Sequence, residues 1–130
     1  VFGYVSQISG PRAFTSYHLV DYDPADGRVR RKETVQGFSD ESAWARGQAW
    51  ALYGYTMMFR LSGYECYLNQ AENIAGMLLE RLPDDGIPYW GFDSDRIPDD
   101  LRDASAAAIM PASSDTGMNA PDRPPTWPEP

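Results

Sequence analysis

The stretch 34–50 concentrates side chains that could bind a ligand. It holds an indole at Trp44, a guanidinium at Arg46 and amides at Gln36 and Gln48. A guanidinium donates a fork of N–H groups that matches the two oxygens of a carboxylate, and an indole offers a flat apolar face with one polar edge. These residue types in one stretch indicate a site for an acidic sugar.

Simpler structural roles compete with this interpretation of the stretch. Arg46 could form an ion pair with Asp40 or Glu41, and Trp44 and Trp50 could pack in the core. Surface ion pairs and buried aromatic rings are common in any globular domain. Residue types alone therefore leave the ligand site as one of two interpretations.

Other catalytic and metal-binding patterns are not found in the sequence. No Ser-His-Asp set, metal-ligand spacing or glycine-rich phosphate loop can be assembled, and His18 is the one histidine. A single histidine in a strand is more often packed or at the surface than catalytic. The acidic turn at 21–27 fails as an EF-hand loop, because Ala25 and Lys32 occupy ligand positions. We therefore expect no metal and no cofactor.

The composition argues against several classes of partner. The 130 residues carry 11 Lys and Arg against 19 Asp and Glu, a formal net charge of −8, and the one basic run, 28–32, is short. Nucleic acids and anionic membranes need clustered positive charge. No run approaches the roughly 18 apolar residues of a membrane-spanning helix. The single cysteine, Cys66, permits no intrachain disulfide. We expect neither a nucleic-acid nor a membrane partner.

The first third of the chain predicts little regular structure apart from one hairpin. Residues 1–15 show neither a helical nor a strand period and are expected to be irregular. Alternating β-branched and aromatic residues at 17–22 predict a strand, 24–27 has turn chemistry, and 29–34 predicts the returning strand.

Two helices of different character are predicted next. The first is expected to begin near Ser39 or Asp40, either of which can cap it, and to end at Gly63. Its apolar residues cover nearly the whole circumference, which indicates burial on several sides. The second, 64–82, is apolar on one face only. A buried helix joined by a tight turn to an amphipathic one predicts a hairpin with an inner and an outer member, in a layered all-α array.

The remainder of the chain predicts a loop, a third helix and a tail. The loop 83–101 carries an aromatic triplet within 89–92, which we assign to the core in preference to a cleft wall. A helix follows, with Asp103 or Ser105 as its cap. Pro111 is expected to end it.

Residues 111–130 include six prolines and almost no aliphatic side chains, so they cannot bury enough apolar area to offset their ordering entropy. We therefore predict three parts: an irregular segment 1–15, a partial helical domain 16–110 and a disordered tail 111–130. The start at Val1 and the abrupt change at Pro111 indicate an incomplete or frame-shifted chain.

Six motifs follow one another along the chain. They are Tyr17-His-Leu-Val-Asp-Tyr-Asp-Pro24, Val35-Gln-Gly-Phe-Ser-Asp-Glu-Ser-Ala-Trp-Ala-Arg-Gly-Gln-Ala-Trp50, Tyr53-Gly-Tyr-Thr-Met57, Tyr67-Leu68, Ile87-Pro-Tyr-Trp90 and Arg102-Asp-Ala-Ser-Ala-Ala-Ala108. Together they resemble the unsaturated glucuronyl hydrolases of glycoside hydrolase family 88, over roughly 16–110. The Trp-Ala-Arg-Gly-Gln form favours this family over its unsaturated rhamnogalacturonyl relatives.

The resemblance implies a fold and an activity. The fold would be a six-hairpin α/α barrel whose inner helices line a substrate funnel. The activity would release a terminal 4,5-unsaturated uronic acid from lyase-generated oligosaccharides by hydrating the double bond, with an Asp protonating the alkene carbon and activating the water. The partner would be an unsaturated uronic-acid oligosaccharide. The family works in the bacterial cytoplasm or periplasm, so the compartment of this chain stays open.

By matched position, the resemblance implies that His18, Gln36, Trp44 and Arg46 line the pocket for the unsaturated ring. Arg46 would pair with the ring carboxylate, and Trp44 would offer a face for stacking or packing. No residue is assigned as catalytic.

The two key Asp residues of the family would lie upstream of the matched motifs, so no catalytic role is assigned to Asp21, Asp40 or Asp103. We therefore expect a truncated, inactive piece of a glycosidase that keeps part of the substrate pocket. A barrel needs about twelve helices, and three would leave apolar helix faces exposed for self-association. The alternative is a non-catalytic helical-repeat interaction module, suggested by a faint repeat-like pattern of Trp50, Gly54 and Ala71.

Overall fold

The computed structural model describes residues 13–114, the last three as backbone only. In chain order the elements are β1 (Leu19–Tyr22), β2 (Val29–Glu33), α1 (Ala45–Ser62), α2 (Glu65–Arg81) and α3 (Ala104–Ser114). No helix within the described residues is both long and apolar enough to cross a membrane. The predictions for 1–12 and 115–130 lie outside the described residues.

The predicted β-hairpin is confirmed. β1 and β2 pair antiparallel, with Leu19 opposite Glu33 and a bulge after Asp21. Gly27 adopts a left-handed φ of 74°, a conformation that costs glycine little, and the turn closes through the Asp23 N–H, which donates to the Arg28 carbonyl at 2.7 Å. The strand begins later than predicted, at Leu19.

The predicted start of the first helix is wrong by about five residues. Asp40, one of the two expected caps, is used in the preceding loop, where its carboxylate accepts the Thr34 N–H at 2.8 Å. Ser39, the other expected cap, lies in the same loop and its backbone N–H donates to the Ser42 hydroxyl at 2.8 Å. Polar side chains can bond nearby backbone groups instead of starting a helix. Residues 39–44 are therefore a loop, and α1 begins at Ala45 without a side-chain cap.

A short extended segment, 88–92, lies between the starts of two helices, and we call it the bridging segment. On one side the Ala45 N–H donates to the Trp90 carbonyl at 3.0 Å, and the Phe92 N–H donates to the Ala43 carbonyl at 3.0 Å. On its other side the Trp90 N–H donates to the Leu101 carbonyl at 3.0 Å, and the Asp103 N–H donates to the Pro88 carbonyl at 2.8 Å. The first turns of α1 and α3 are thereby held next to each other.

The α1–α2 hairpin has the inner and outer character predicted from the sequence. Gly63 ends α1 in the left-handed conformation and its N–H donates to the Phe59 carbonyl at 2.7 Å. α2 buries one face against α1 and leaves the opposite face exposed. The buried cluster between the helices consists of Ala51, Leu52, Ala71, Ile74, Met77 and Leu78.

α3 packs on α1 through small residues. Ala45, Ala49 and Ala106 are fully buried at this contact, which allows the two backbones to approach closely. Asp103 caps α3 as predicted, because its Oδ1 accepts the Ala106 N–H at 2.9 Å. The predicted end at Pro111 is wrong: the helix continues to Ser114, since the fixed φ of proline suits a helix even though its ring removes one backbone donor.

α1 is not covered all round by the described residues. Trp50, Met58 and Leu61 are exposed on it, whereas the side facing α2 and α3 is buried. The apolar circumference predicted from the sequence is therefore present, and part of it faces outward in the described part of the chain.

The α1–α2 core gives a matched stability test. Ile74 is fully buried, so Ile74→Ala is expected to lower the free energy of unfolding by about 2–5 kcal/mol through lost burial and the cavity left behind. Leu79 lies on the same helix but is 71% exposed, and Leu79→Ala should change the free energy by less than about 0.5 kcal/mol. Urea unfolding followed by circular dichroism measures both. Equal effects would contradict this packing of α2 on α1.

Candidate functional site

Two cavities flank Trp44. The first, of about 660 Å³, lies between the β-hairpin and α1, and we call it the hairpin cavity; Tyr17, His18, Gln48 and Trp50 line it. The second, of about 480 Å³, lies beside the starts of α1 and α3, and we call it the arginine cavity. Gln36, Arg46, Trp90, Asp103 and Ser105 are among its lining residues. Trp44 lines both cavities and forms the wall between them.

The Trp44 ring is held by its neighbours. His18 stacks on it with the ring centroids 4.5 Å apart and the planes 28° from parallel, and the Arg46 guanidinium lies over it at 5.5 Å. A Cβ atom at Gly47 would lie 3.2 Å from the six-membered ring of Trp44, so the glycine lets the indole pack against α1. The bridge between Trp44 and Gly91 fixes the backbone.

One nitrogen of the His18 ring accepts hydrogen bonds from the loop that follows the β-hairpin. Its Nδ1 lies 3.2 Å from the Val35 N–H and 3.3 Å from the Gln36 N–H, both of which donate to it. An acceptor nitrogen carries no proton, so the ring is neutral with its hydrogen on Nε2. Burial lowers the pKa of His18 below its usual value, in agreement with this assignment. His18 therefore holds the backbone at Gln36 in place.

The loop that carries Gln36 is fixed by its own polar groups. The Thr34 hydroxyl accepts the Gly37 N–H at 2.7 Å, and a Cβ atom at Gly37 would lie only 2.4 Å from that hydroxyl oxygen. The Gln36 side chain is exposed at the edge of the arginine cavity. The backbone of Gln36 is thus fixed in position, while its side-chain amide stays available to a ligand.

Arg46 pairs with Asp103. The Arg46 Nη2 lies 3.1 Å from the Asp103 Oδ2, and the Asp103 side chain is 2% exposed against 40% for Arg46. The Nε of Arg46 is buried without a hydrogen-bond partner among residues 13–114. Because the Arg46 side chain is partly exposed, its N–H groups other than the buried Nε and the one that faces Asp103 can reach a ligand in the arginine cavity.

All four residues singled out from the sequence thus meet around one indole. The structure brings together His18, Gln36, Trp44 and Arg46, although Trp44 divides them between two cavities. The ion pair considered for Arg46 with Asp40 or Glu41 is replaced by the pair with Asp103, since residues 39–44 are a loop and not the first turn of α1.

Gln48 has a structural role instead of the ligand-binding role expected from its amide. It is 1% exposed, its Oε1 accepts the Ser16 N–H at 3.0 Å, and its Nε2 donates to the Ser16 carbonyl at 3.1 Å. Trp50, considered for the core, is instead 54% exposed beside the hairpin cavity. Helical periodicity could not separate these cases, because both residues lie on an apolar helix.

The aromatic triplet divides between the core and a cavity. Tyr89 is buried, Phe92 packs against both helix contacts, and Trp90 lines the arginine cavity. The Trp90 Nε1–H donates to the Asp100 Oδ2 at 2.9 Å. Hydrogen bonds to the Asp100 carboxylate, first of all from the Ser94 hydroxyl, lower its pKa. Asp100 thereby anchors the Trp90 indole.

The acidic turn shows no arrangement for a cation. The Asp23 carboxylate accepts the Ala25 N–H and pairs with Arg30, and the Asp26 carboxylate accepts the Arg28 N–H. Within residues 13–114 no group of three His, Cys, Asp or Glu residues is placed to bind a metal ion.

Comparison with known proteins gives close relatives over most of the chain. An unsaturated glucuronyl hydrolase from Formosa agariphila is 50% identical over 99 residues, which cover 75% of this chain and 25% of that protein. The crystal structure of the Bacillus sp. GL1 unsaturated glucuronyl hydrolase, described as responsible for the degradation of glycosaminoglycan, is 40% identical with a TM-score of 0.71. It is matched over 77% of this chain and 26% of its own. The chain is a partial member of the unsaturated glucuronyl hydrolase family.

Membership in this family gives the fold and the lineage of the chain. The described helices and hairpin form part of an α/α barrel, and the lineage is that of a glycoside hydrolase, as the motifs suggested. A Streptococcus agalactiae unsaturated glucuronyl hydrolase complexed with dGlcA-GalNAc6S is 33% identical, with a TM-score of 0.63 over 77% of this chain and 26% of its own. No family model matches the chain. It spans about a quarter of the length of the curated relatives it matches.

Two glycines of α1 test the packing of Trp44. Nothing lies within 4 Å of a Cβ atom at Gly54, so Gly54→Ala should stabilise the helix by about 0.5–1 kcal/mol. Gly47→Ala gives the same gain in helix propensity, but its methyl group would press against the Trp44 ring. It should therefore be less stabilising than Gly54→Ala and should shift the indole signals in NMR spectra. Identical behaviour of the two variants would contradict the contact.

The protonation of His18 gives a pH test. The folded-state pKa lies below the unfolded value of about 6.5, so its contribution to stability is complete above pH 6.5 and declines as the pH falls through the folded-state pKa. Protonation would also turn Nδ1 into a donor facing two N–H groups. NMR titration of the ring should give a pKa below 6.5, and His18→Gln should remove this part of the pH dependence of unfolding. A ring that titrates at or above 6.5 would refute the assignment.

Proposed function

We propose that this chain provides one wall of a pocket that binds the terminal 4,5-unsaturated uronic acid of an oligosaccharide made by a polysaccharide lyase. The placement of Gln36, Trp44 and Arg46 around the arginine cavity, with His18 stacked on the Trp44 ring, carries the proposal. A planar acidic sugar needs a cationic fork, polar groups at its edge and a rigid wall. The dGlcA-GalNAc6S held by the Streptococcus agalactiae relative supports a ligand of this class.

In this proposal Arg46 binds the carboxylate of the unsaturated sugar ring. Its guanidinium is half-exposed in the arginine cavity, lies over the Trp44 ring and has donors beyond the one that faces Asp103. A charge-assisted, forked hydrogen bond fixes both the position and the angle of a carboxylate. The exposed Gln36 amide at the same cavity would bind a ring hydroxyl or the second carboxylate oxygen.

Residues of the hairpin cavity would take the following sugar. The Nε2–H of His18 is a donor, because Nδ1 is used by the loop, and His18 lines this cavity. Trp50 adds an exposed indole nearby. The two cavities share the Trp44 wall, so an oligosaccharide of more than one ring can contact both of them.

We propose that these residues recognise the sugar and do not transfer the proton that hydrates its double bond. Of the acidic residues lining the two cavities, Asp21 and Glu33 both pair with Arg31, and Asp103 pairs with Arg46. General acid catalysis needs a group that faces the reacting atom. These carboxylates face arginines, so proton transfer would come from residues of the barrel outside this part of the chain.

The helical-repeat alternative has less support. Its pattern joined Trp50, Gly54 and Ala71, but Trp50 and Gly54 lie on the exposed side of α1, while Ala71 is buried between α1 and α2. The three residues do not form one packed unit. Self-association through the exposed apolar side of α1 stays a prediction.

Substitution of Arg46 tests the proposed pocket. Arg46→Lys keeps the charge but loses the fork, and we expect affinity for an unsaturated uronic-acid disaccharide, measured by calorimetry, to fall about tenfold or more. Arg60→Lys makes the same change near the other end of α1 and should leave the affinity unchanged. The alkene absorbance of the disaccharide should stay constant with the unmodified chain.

Two results would contradict the proposal. Equal affinity of the Arg46→Lys and Arg60→Lys variants would remove Arg46 from the binding site. A decrease of alkene absorbance that the Arg46→Lys substitution abolishes would show that the chain carries out the proton transfer as well as the recognition.

A further inference from the structure

We propose that Asp103 is the positioning residue of the arginine cavity: it holds the Arg46 guanidinium in the orientation in which its remaining N–H groups meet the ligand carboxylate. The inference rests on the proposed function, because it concerns the same site. In the sequence, Asp103 is a candidate cap of the third helix. The structure adds the contact between its second oxygen and Arg46.

Asp103 is itself rigidly fixed. Its backbone N–H donates to the Pro88 carbonyl at 2.8 Å, its carbonyl accepts the Ala107 N–H at 3.1 Å, and its Oδ1 accepts the Ala106 N–H at 2.9 Å. The side chain is 2% exposed. Three hydrogen bonds to the bridging segment and to α3 therefore determine where Oδ2 points, and Oδ2 faces Arg46.

Arg46 depends on such an anchor. A long arginine side chain has many rotamers, and a forked contact to a carboxylate is formed only when the guanidinium plane is already oriented. The Trp44 ring centroid lies 5.5 Å from the guanidinium carbon, and the Asp103 Oδ2 lies 3.1 Å from Nη2. Together the two contacts orient Arg46 before a ligand arrives.

A positioning role of Asp103 and a simple effect of its charge predict opposite changes in the affinity for an acidic sugar. Asp103→Asn keeps an oxygen that can cap α3, because asparagine is a good N-cap, but removes a negative charge beside Arg46. If charge alone governed the cavity, the more positive cavity would bind an acidic sugar more tightly. If Asp103 positions Arg46, the acidic sugar binds more weakly despite the added positive charge.

The experiment uses the full chain and two ligands, an unsaturated uronic-acid disaccharide and its methyl ester. We expect Asp103→Asn to reduce the preference for the acid over the ester about tenfold, the loss of one well-placed charged hydrogen bond, with little change in melting temperature. In the ligand-free chain the Arg46 Nε–H signal should broaden and exchange faster with water. Asp103→Ala should lose the preference for the acid over the ester and should also have a lower melting temperature.

Asp93→Asn is the matched control. Asp93 also accepts a backbone N–H near the start of α1, that of Ala43 at 2.7 Å, and also pairs with an arginine, Arg81 at 3.3 Å. It is not among the residues that line either cavity. This variant changes the charge of the chain equally and should keep both the preference for the acid and the Arg46 signal.

The outcomes separate the two proposals. An unchanged or stronger preference for the acid in Asp103→Asn, or an Arg46 signal identical to that of the unmodified chain, would overturn the positioning role. If the unmodified chain binds neither ligand, the proposed function is wrong. The orientation of Arg46 then does not serve the binding of this ligand. The Arg46 signal then still shows whether Asp103 fixes the side chain.

Discussion

The backbone pairing of the bridging segment is the constraint on which the arrangement depends. Its central residue, Trp90, donates its N–H toward one helix start and offers its carbonyl to the other. Because backbone donors and acceptors must be paired when they leave water, this ladder determines where both helices begin. α1 starts without a side-chain cap, and its first N–H is satisfied by the Trp90 carbonyl.

The ligand site follows from that pairing. Arg46 lies in the first turn of α1 and Asp103 immediately precedes α3, so they meet because the two helices start side by side. The small residues at the α1–α3 contact keep the helix axes close along the next turns. The indole of Trp90, anchored by Asp100, then forms part of the cavity wall, although its backbone belongs to the ladder.

Trp44 connects this assembly to the β-hairpin. It stacks on His18, which holds the Gln36 loop through Nδ1, and it lies below Arg46. Gln48 ties the chain just before the hairpin to α1 through Ser16. The hairpin, which is a two-stranded sheet within residues 13–114, therefore has a fixed position on the helices, and the two cavities are a consequence of that position.

The sequence determined the helical hairpin, its inner and outer members, two candidate caps of α3 that include Asp103 and, through ordered motifs, the family. It also indicated His18, Gln36, Trp44 and Arg46 as candidate pocket residues. These are local or pattern properties, since periodicity, capping and motif spacing act within short windows. The tertiary structure decided the start of α1, the burial of Gln48, the exposure of Trp50 and the partner of Arg46. The start of α1, the burial of Gln48 and the partner of Arg46 each depend on a group far along the chain that supplies a hydrogen bond or an ion pair, which no local pattern specifies. The exposure of Trp50 depends on which side of α1 the other described elements cover.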